Sequence, residues 1–490
     1  MLKKSTLIGS LGLAVVGISG CSKDETTTPT TPTVELKNYS TTPALVKKMT
    51  GFESVEVFSL IGSDDKLDQS PSFVFGGSAD GMGWLKNSDG GFTMILNHED
   101  NYAVSRVTFD KTLKPMKGEY ILNSDGGTWR LCSATMATPE EHGFGPTFLT
   151  CGESGEESRT HAINPLDPVT NASLSRELPA FGRWSAENAL PLPKTAYSGK
   201  TVIMITDDDS GISGGQVAMY MSNTVGDLSN GTLYMLRRKD QNQIETDMKI
   251  GTMYDVEFVK IDNASTLTGK EINALVDVQK AIKFGRVEDV DYRKGGNGRD
   301  VYFTVTGQPY TGTNADKSRT KYGRVYHLNL DAASPLSGKL EVIMDGDDRT
   351  GPAKSFQDPD NICVTTNYVY VQEDPNGYGD ETHDSYIYQY NLSTKEVKIV
   401  CELDHHRDAA DKDLYNKDVT TGAPALSKKG AWEYGAMVDI SDIIGIPNTF
   451  ALAVQPHTWV GDKYKGVDGG TKRASEWQAS QVLILKGVPR

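Results

Sequence analysis

The chain has 490 residues, 37% of them hydrophobic, and its formal net charge is −15 at pH 7. This acidic balance argues against nucleic acid or an anionic membrane surface as a partner, because both are themselves negatively charged. The 49 glycines and 21 prolines suit a fold with many tight turns, and the excess carboxylates suit hard cations.

The N-terminus has the pattern of a bacterial lipoprotein signal peptide. Residues 1–4 form a basic n-region with two lysines, residues 7–18 form an apolar stretch, and residues 18–21 resemble a lipobox. The apolar stretch is too short and too rich in glycine for a transmembrane helix. We therefore predict a signal peptide over residues 1–20, cleavage before Cys21 and a lipid on the thiol of Cys21. An ordinary secretory peptide with a chance cysteine is the alternative.

A tether is predicted to follow the lipidated cysteine. Residues 26–34 are rich in Thr and Pro, a composition that keeps a chain extended, and we assign residues 21–45 to the anchor and tether. Residues 22–25 resemble the Lys-acid-acid export tag of some outer-membrane lipoproteins. The predicted location is the outer membrane or the cell surface, with the lipid as the sole contact with the membrane.

Short strands separated by Gly-containing turns dominate the remainder, residues 46–490. Six apolar runs each end in a polar or acidic tip, and most are followed by a second alternating strand. The runs are residues 94–96, 148–151, 202–206, 301–305, 368–371 and 450–454, with tips at 97–100, 152–154, 207–209, 306–307, 372–374 and 455–457. This degenerate repeat predicts an all-β, six-bladed propeller with loop and short helical insertions. Because blades converge on one axis, the six tips should gather around one acidic pocket.

Three further segments interrupt or complete the strand pattern. Residues 270–284 have helical spacing, with Ile272, Leu275, Val276 and Ile282 on one face. Residues 404–429 are polar and are predicted to form a long loop. Residues 480–485 form a terminal strand, which in a propeller often closes the ring by pairing one terminus with the other.

After Cys21, four cysteines remain: Cys132, Cys151, Cys363 and Cys401. Outside the cytoplasm they would by default form two disulfides, and their spacing matches no zinc motif. A single unpaired thiolate that acts as a metal ligand is the alternative.

Several segments resemble, in the same order, the PhoX-type alkaline phosphatases, which are extracytoplasmic metalloenzymes on a six-bladed propeller. The matching segments are residues 75–81 with 97–99, 132–139 with 148–153, 181–184 with Glu187, 206–209, 231–234, 286–289, 359–361, 433–435 and 455–457. The resemblance implies hydrolysis of small phosphate monoesters with Ca²⁺ and Fe³⁺ as cofactors. We expect the protein to be a monomer.

Carried over by position, the family's site implies a role for each matching residue. Arg286 would bind the phosphate, Cys132 would be a thiolate ligand of iron, and these two with Glu288 would be the catalytic residues. The metal ligands would be Cys132, Glu153, Glu187, Asp208, Glu288, Asp360 and Glu433, with Asn97 nearby. The residue types suit the chemistry, since calcium takes oxygen ligands and a guanidinium matches phosphate oxygens. The metals would neutralise and align the phosphate and supply the nucleophile.

Departures from the family pattern keep other functions open. Ala186 stands where the family has histidine, Val287 stands where it has proline, and an insert contains residues 140–142. The alternatives are another propeller hydrolase (a phosphodiesterase, a phytase-like enzyme or a lactonase) and a non-catalytic surface module with structural calcium.

Single residues also have alternative roles. Cys132 could pair with Cys151, and residues 207–209 could be a solvated loop. The acidic residues of 373–376 and 380–381 could form a surface calcium loop instead of joining the central site. His98 and His457 could be metal ligands or hydrogen-bonded structural residues. Arg286 could simply balance Glu288 and Asp289.

Overall fold

The computed structural model describes residues 33–375 and 381–490, and Val34–Arg490 groups into one compact unit. The predicted signal peptide, Cys21 and the beginning of the tether lie outside the described residues. Within the described ranges, none of the helices has the length and hydropathy needed to cross a bilayer.

Nearly all of the regular structure is β. The strands are β1 (Val46–Lys48), β2 (Glu56–Gly62), β3 (Ala79–Lys86), β4 (Phe92–His98), β5 (Ala103–Phe109), β6 (Pro115–Leu122), β7 (Arg130–Ala137), β8 (Thr147–Glu153), β9 (Thr160–Ile163), β10 (Ala186–Pro191), β11 (Thr201–Asp207), β12 (Gln216–Ser222), β13 (Thr232–Arg238), β14 (Tyr254–Ile261), β15 (Val287–Tyr292), β16 (Asp300–Val305), β17 (Arg324–Leu330), β18 (Ser337–Asp345), β19 (Pro359–Val364), β20 (Tyr368–Glu373), β21 (Tyr386–Asn391), β22 (Val397–Leu403), β23 (Glu433–Asp439), β24 (Thr449–Gln455) and β25 (Gln481–Lys486). The α-helices are α1 (Ser124–Gly127), α2 (Gly269–Gln279), α3 (Lys412–Tyr415) and α4 (Ser441–Ile444).

These strands form antiparallel sheets arranged as a propeller. The strand orders are β3-β4-β5-β6, β7-β8-β9, β10-β11-β12-β13-β14-β18-β17-β16-β15, β1-β22-β21-β20-β19 and β2-β25-β24-β23. The strands β3, β7, β10, β15, β19 and β23 contact one another in that order, and β23 contacts β3, so that they surround one axis. The predicted all-β propeller is confirmed. The described strands form five sheets rather than six, because β14 pairs with β18 and joins two strand groups.

The six apolar runs form the second strand of each group, not the strand at the axis. Every residue of β4, β11 and β24 is buried. The apolar runs at the centre of these strands are continuous because both faces of each strand are buried. The strands at the axis carry the polar residues instead, and these residues build the site described below.

The ring closes through both ends of the folded part. The terminal strand β25 lies between β2 and β24, with Leu485 opposite Val57 on one side and opposite Phe450 on the other. Residues 34–45, which we assigned to the tether, lie against the sheets; for example, the Glu35 N–H donates to the Thr112 carbonyl at 3.0 Å. Closure by strands distant in sequence ties the propeller into one ring.

The helix predicted at residues 270–284 is present but ends earlier, at Gln279. A capping box of Thr268 and Glu271 begins the helix, and Ile272 and Val276 are fully buried. Lys280 adopts φ 58°, a left-handed conformation that ends helices. The residues that follow return to extended pairing, since Phe284 bridges Gly215.

The prediction of two disulfides is wrong for the four cysteines of the described chain, which are unpaired and buried. Cys132 lies in an irregular part of β7, where its Sγ is 3.3 Å from Glu153 Oε2. The Sγ of Cys151, on the neighbouring strand, lies 3.3 Å from Thr160 Oγ1. The alternative of a Cys132–Cys151 disulfide is therefore also wrong, because the two thiols face different partners.

Candidate metal centre at the propeller axis

Each of the six strands at the axis contains a β-bulge near its beginning. The pairing register shifts between Ala79 and Met82, Leu131 and Ala134, Ala186 and Ala189, Val287 and Val290, Pro359 and Ile362, and Tyr434 and Met437. The residues that follow the first member of these pairs are Asp80, Cys132, Glu187, Glu288, Asp360 and Gly435. A bulge redirects side chains and is frequent beside active sites. The same local device thus presents a possible metal ligand five times around the axis.

Gly435 occupies the sixth position for a steric reason. A Cβ at this residue would lie 2.4 Å from the Ala79 carbonyl oxygen and 2.7 Å from the Asp80 Cα. Both distances are far shorter than van der Waals contact, so only glycine permits this approach of β23 to β3. Because Gly435 has no side chain, Asp80 of β3 occupies the space in which a side chain from this position of β23 would lie.

A rim layer lies one residue pair further out, where the beginning of each axial strand faces the end of the second strand. The rim pairs are Ser78–Glu99, Arg130–Glu153, Ser185–Asp208, Arg286–Thr306, Asp358–Asp374 and Glu433–Gln455. The polar tips of the six apolar runs therefore lie at one end of the axis. In each axial strand, the rim residue and the residue at the bulge are two positions apart. Side chains two positions apart point to the same side of a strand, so the two residues form successive layers around the axis.

The described chain contains three groups of residues, and within each group the ligand atoms lie within 4.8 Å of one another. They are Asp80, Glu99 and Cys132; Glu187, Glu288 and Asp360; and Asp360, Asp374 and Glu433. Five residues assigned from the family resemblance belong to these groups, namely Cys132, Glu187, Glu288, Asp360 and Glu433. Asp360 belongs to two groups and so connects the second with the third.

The other assigned residues lie beside these groups. Glu153 Oε2 accepts a hydrogen bond from the thiol of Cys132, and Asp208 binds Arg286. Asn97 donates from Nδ2 to the Cys132 carbonyl and, at 2.7 Å, to Thr150 Oγ1. Asn97 therefore holds the backbone that carries the thiol.

Asp80, Glu99 and Asp374 were not assigned from the sequence as ligands. Asp80 and Glu99 fall within the segments that resemble the family, and Asp374 ends one of the polar tips. The sequence therefore contained a signal for each of them. Asp80 is an acid at the second position of an axial strand, and Glu99 and Asp374 are acids in the polar tips that follow buried apolar runs.

The two histidines considered as ligands have different surroundings. His98 is buried, with its ring nitrogens 3.3 Å from the Gly77 carbonyl and 2.8 Å from Ser105 Oγ. Burial lowers the pKa of His98 to about 4, which fits a neutral, hydrogen-bonded residue. His457 Nε2 lies 3.3 Å from Glu433 Oε1, next to the third ligand group.

The burial of Asp207, Asp208 and Glu373 disagrees with the loop alternatives for these three residues. Asp207 and Asp208 are 1% and 6% exposed, so that residues 207–209 are not a solvated loop. Glu373 is fully buried and accepts from the N–H groups of Gln357 and Tyr386 at 2.7 and 2.8 Å. It supports the backbone and is not part of a surface calcium loop. Residues 376–380 lie outside the described residues.

The carboxylates of the site cannot all be ionised without added positive charge. Burial, with Asp208 and Glu99 nearby, raises the pKa of Glu153 to about 8. Burial and neighbouring acids also raise the pKa of Asp80, Glu187, Glu288, Asp360 and Glu433 well above the ordinary values. Clustered acids of this kind either bind protons or bind cations.

The residues fit the calcium and iron that the family resemblance implies. Asp360 Oδ1 and Asn97 Oδ1 are buried, and each lacks a hydrogen-bond partner among the described residues. An oxygen acceptor in this state is costly unless a ligand satisfies it. Oxygen donors together with one thiol suit calcium and ferric iron. Burial and nearby carboxylates raise the pKa of the Cys132 thiol, so that a cation would be needed to hold it as a thiolate.

Arg286 lies where the cluster opens into a cavity of 460 Å³ that Glu153, Asp208 and Gly307 also line. Its Nε and Nη2 donate to the two oxygens of Asp208 at 2.7 and 2.9 Å, and Nη2 is 3.2 Å from Glu288 Oε1. The backbone of Arg286 has φ 71°, a strained conformation for a residue with a long side chain. Asp208 thus presents to this guanidinium the two-oxygen edge that a phosphate would present.

No family model and no curated protein matches the sequence. Among solved structures, the chain is similar to Pseudomonas fluorescens PhoX in complex with vanadate, a transition state analogue. The TM-score is 0.60 at 13% identity, and the match covers 90% of this chain and 96% of that chain. An α-L-arabinofuranosidase from Fusarium graminearum, in complex with an iminosugar inhibitor, has a TM-score of 0.39 at 12% identity, with 87% and 97% covered. The TM-score of 0.60 shows that this chain shares the propeller fold of PhoX.

Proposed function

We propose that the protein is a metal-dependent hydrolase of small phosphate monoesters. The observation that carries this proposal is the position of Arg286, which is held in a strained conformation where a cluster of buried carboxylates and one thiol opens into a cavity. A guanidinium beside cation-binding oxygens is the combination that phosphoryl transfer needs, since catalysis there is mostly positioning and charge neutralisation.

The three ligand groups would hold calcium and iron, with Cys132 as the ligand suited to iron. When bound, these metals supply charge neutralisation and an activated nucleophile. Arg286 binds and orients the phosphate through its planar guanidinium group. Asp208 positions this group with hydrogen bonds to Nε and Nη2, and Asn97 holds the backbone of Cys132. The burial of the ligands keeps bulk water away from the charges and strengthens their interactions.

We also propose that the propeller has six blades. The recurrent bulge and the ring of six axial strands support this count, with the nine-stranded sheet contributing two blades that are joined through β14 and β18. Each blade then contributes one axial strand and one rim pair to the site.

Substrate panels test the proposed activity. Protein purified without chelator should hydrolyse phosphate monoesters, and the activity should disappear after treatment with EDTA. Diesters, phytate and lactones in the same panel separate the rival hydrolases. A protein that binds calcium and hydrolyses none of these compounds would instead be a non-catalytic surface module.

Chelation should lower the melting temperature, and more so as the pH rises. With raised pKa values, the folded carboxyls bind more protons than the unfolded chain does, so that stability without metal falls from about pH 4.5 to about pH 8, the range between the ordinary and the folded pKa of Glu153. Bound cations stabilise the ionised folded state instead. Melting curves at pH 5 to pH 8, with EDTA or with calcium, measure the difference. Curves that coincide at every pH would mean that the acids hold no metal.

We propose further that Cys21 carries a lipid that anchors a monomeric protein at the outer membrane or cell surface. Cys21→Ala should release the protein from the membrane fraction or leave it unprocessed, because the lipid would be its hold on the membrane. Fractionation and gel migration measure both effects. Membrane association and migration unchanged from the wild type would contradict the anchor.

A further inference from the structure

The rim contains a second arginine in the position equivalent to Arg286. Arg130 precedes Leu131 at the bulge of β7, as Arg286 precedes Val287 at the bulge of β15. Each arginine faces a residue at the end of the second strand of its group, Glu153 for Arg130 and Thr306 for Arg286. The two guanidinium groups therefore belong to the same layer, at the same end of the axis.

Arg130 and Arg286 also border a common residue. Glu153 pairs with Arg130 across the strands and lines the cavity together with Arg286. Glu99 and then Asp100 raise the pKa of Arg130, and Asp208 and Glu288 raise the pKa of Arg286 against the effect of its burial, with Glu153 a smaller contributor to both. A ligand whose phosphate contacts Arg286 thus has a second cation on the same rim, beyond the Ser185–Asp208 pair of β10.

The contacts of Arg130 fix its side chain without covering it. Nη1 is 2.9 Å from Glu99 Oε1 and Nη2 is 3.0 Å from Asp100 Oδ1. The Arg130 side chain is nevertheless 38% exposed, whereas those of Glu99 and Asp100 are 10% exposed. Asp100 is itself held by Ser78 Oγ at 3.0 Å. The carboxylates form a buried support, and the guanidinium faces the open rim.

A third arginine approaches the same support from the loop before β25. Arg473 Nε donates to the Asp100 carbonyl at 2.7 Å, and its guanidinium lies 4.6 Å above the ring of Tyr102. Glu476 pairs with Arg473 at 2.6 Å. Glu99 belongs to a metal-ligand group, so that a bound cation would take its charge from Arg130. With cations bound, Arg130 and Arg473 would share Asp100 while Glu476 pairs with Arg473, and Arg130 would then accept an anionic partner.

From this geometry we infer that Arg130, supported by Arg473, is a substrate-binding residue for a second anionic group. The preferred substrate is then a phosphate monoester that carries another carboxylate or phosphate close to the scissile phosphate. The inference rests on the proposed phosphatase function and deepens it. Arg286 binds the phosphate that is cleaved, and Arg130 selects the ester by the charge of its leaving group.

A matched pair of substrates tests this inference in the metal-loaded full chain. Glycerol 2-phosphate and 2-phosphoglycerate differ in that one CH₂OH group of the former is a carboxylate in the latter. The wild type should favour 2-phosphoglycerate in kcat/KM by about 10- to 100-fold, the size of one charge-assisted contact, and mainly through KM. In Arg130→Gln the ratio should fall to near one, with partial recovery in Arg130→Lys.

Two further variants keep the test decisive. Arg473→Gln should also reduce the ratio, which gives a second readout if Arg130→Gln folds poorly. Arg237→Gln, which breaks a partly exposed pair between Arg237 on β13 and Glu257 on β14, should leave the ratio unchanged. If the wild type hydrolyses both esters equally, or if Arg130→Gln keeps the preference, the inference is overturned while the phosphatase proposal stands. Hydrolysis of neither ester would overturn both.

Discussion

We expect Arg286→Gln to lower kcat/KM for phosphate monoesters by about 10²- to 10³-fold, the usual cost of removing one donor that stabilises developing charge. Glutamine has neither the positive charge nor the planar two-donor edge that now spans the oxygens of Asp208. Arg286→Lys should recover only part of the loss, because an ammonium is a point charge without the fork. Steady-state kinetics on the metal-loaded variants measure the effect.

The control for Arg286 is an arginine of similar burial that lies outside the site. The Arg176 side chain is 12% exposed and that of Arg286 is 19% exposed, and Arg176 pairs with Asp167 at 2.8 Å. Arg176→Gln should leave kcat/KM unchanged. A loss as large as that of Arg286→Gln, or full activity in Arg286→Gln with its metals retained, would show that Arg286 merely balances its acidic neighbours.

Cys132→Ser should remove most of the iron and lower hydrolysis by orders of magnitude. A thiolate bound to ferric iron gives a visible charge-transfer absorption, and a hydroxyl cannot replace it as a soft ligand. The neighbours of Cys132, Glu99 and Asp80, would keep part of the cation binding. Absorption spectra and elemental analysis of protein purified without chelator measure the loss.

Cys151→Ser is the matched control, because Cys151 lies on the adjacent strand and bonds Thr160 instead of a site residue. Iron, colour and activity should remain in this variant. If the two substitutions had equal effects, and non-reducing peptide mapping found a Cys132–Cys151 crosslink, the thiolate site would be wrong. In that case each substitution should cost about 2–5 kcal/mol of stability, as the loss of a native disulfide does.

The gathering of polar tips could be predicted from the sequence because strand repeats have strong local signals. A buried run such as residues 202–206 followed by Asp207 and Asp208 is visible without any alignment. The pattern of the axial strands is weaker, since Asp80 and Glu187 stand near the start of a short strand and not after a continuous apolar run. The bulge that redirects these acids depends on pairing with another strand, which local sequence does not encode.

The cysteines and the helix show two further limits. Compartment and cysteine number favour disulfides, but whether two thiols meet depends on the faces their strands present, and Cys132 lies in a bulge. Ile282 continues the apolar spacing of α2 without continuing the helix, because Lys280 takes a left-handed conformation. In both cases, the pairing of the cysteines and the end of α2, tertiary contacts decide the structure, and the local sequence does not determine them.

The central claim is that buried carboxylates and Cys132 hold metal ions at the propeller axis. Elemental analysis of the full chain, purified without chelator, tests it most directly. The account predicts calcium together with iron in the wild type, with the iron lost in Cys132→Ser and kept in Cys151→Ser. Calcium without iron would contradict the thiolate site, and protein free of both metals would contradict the metal centre itself.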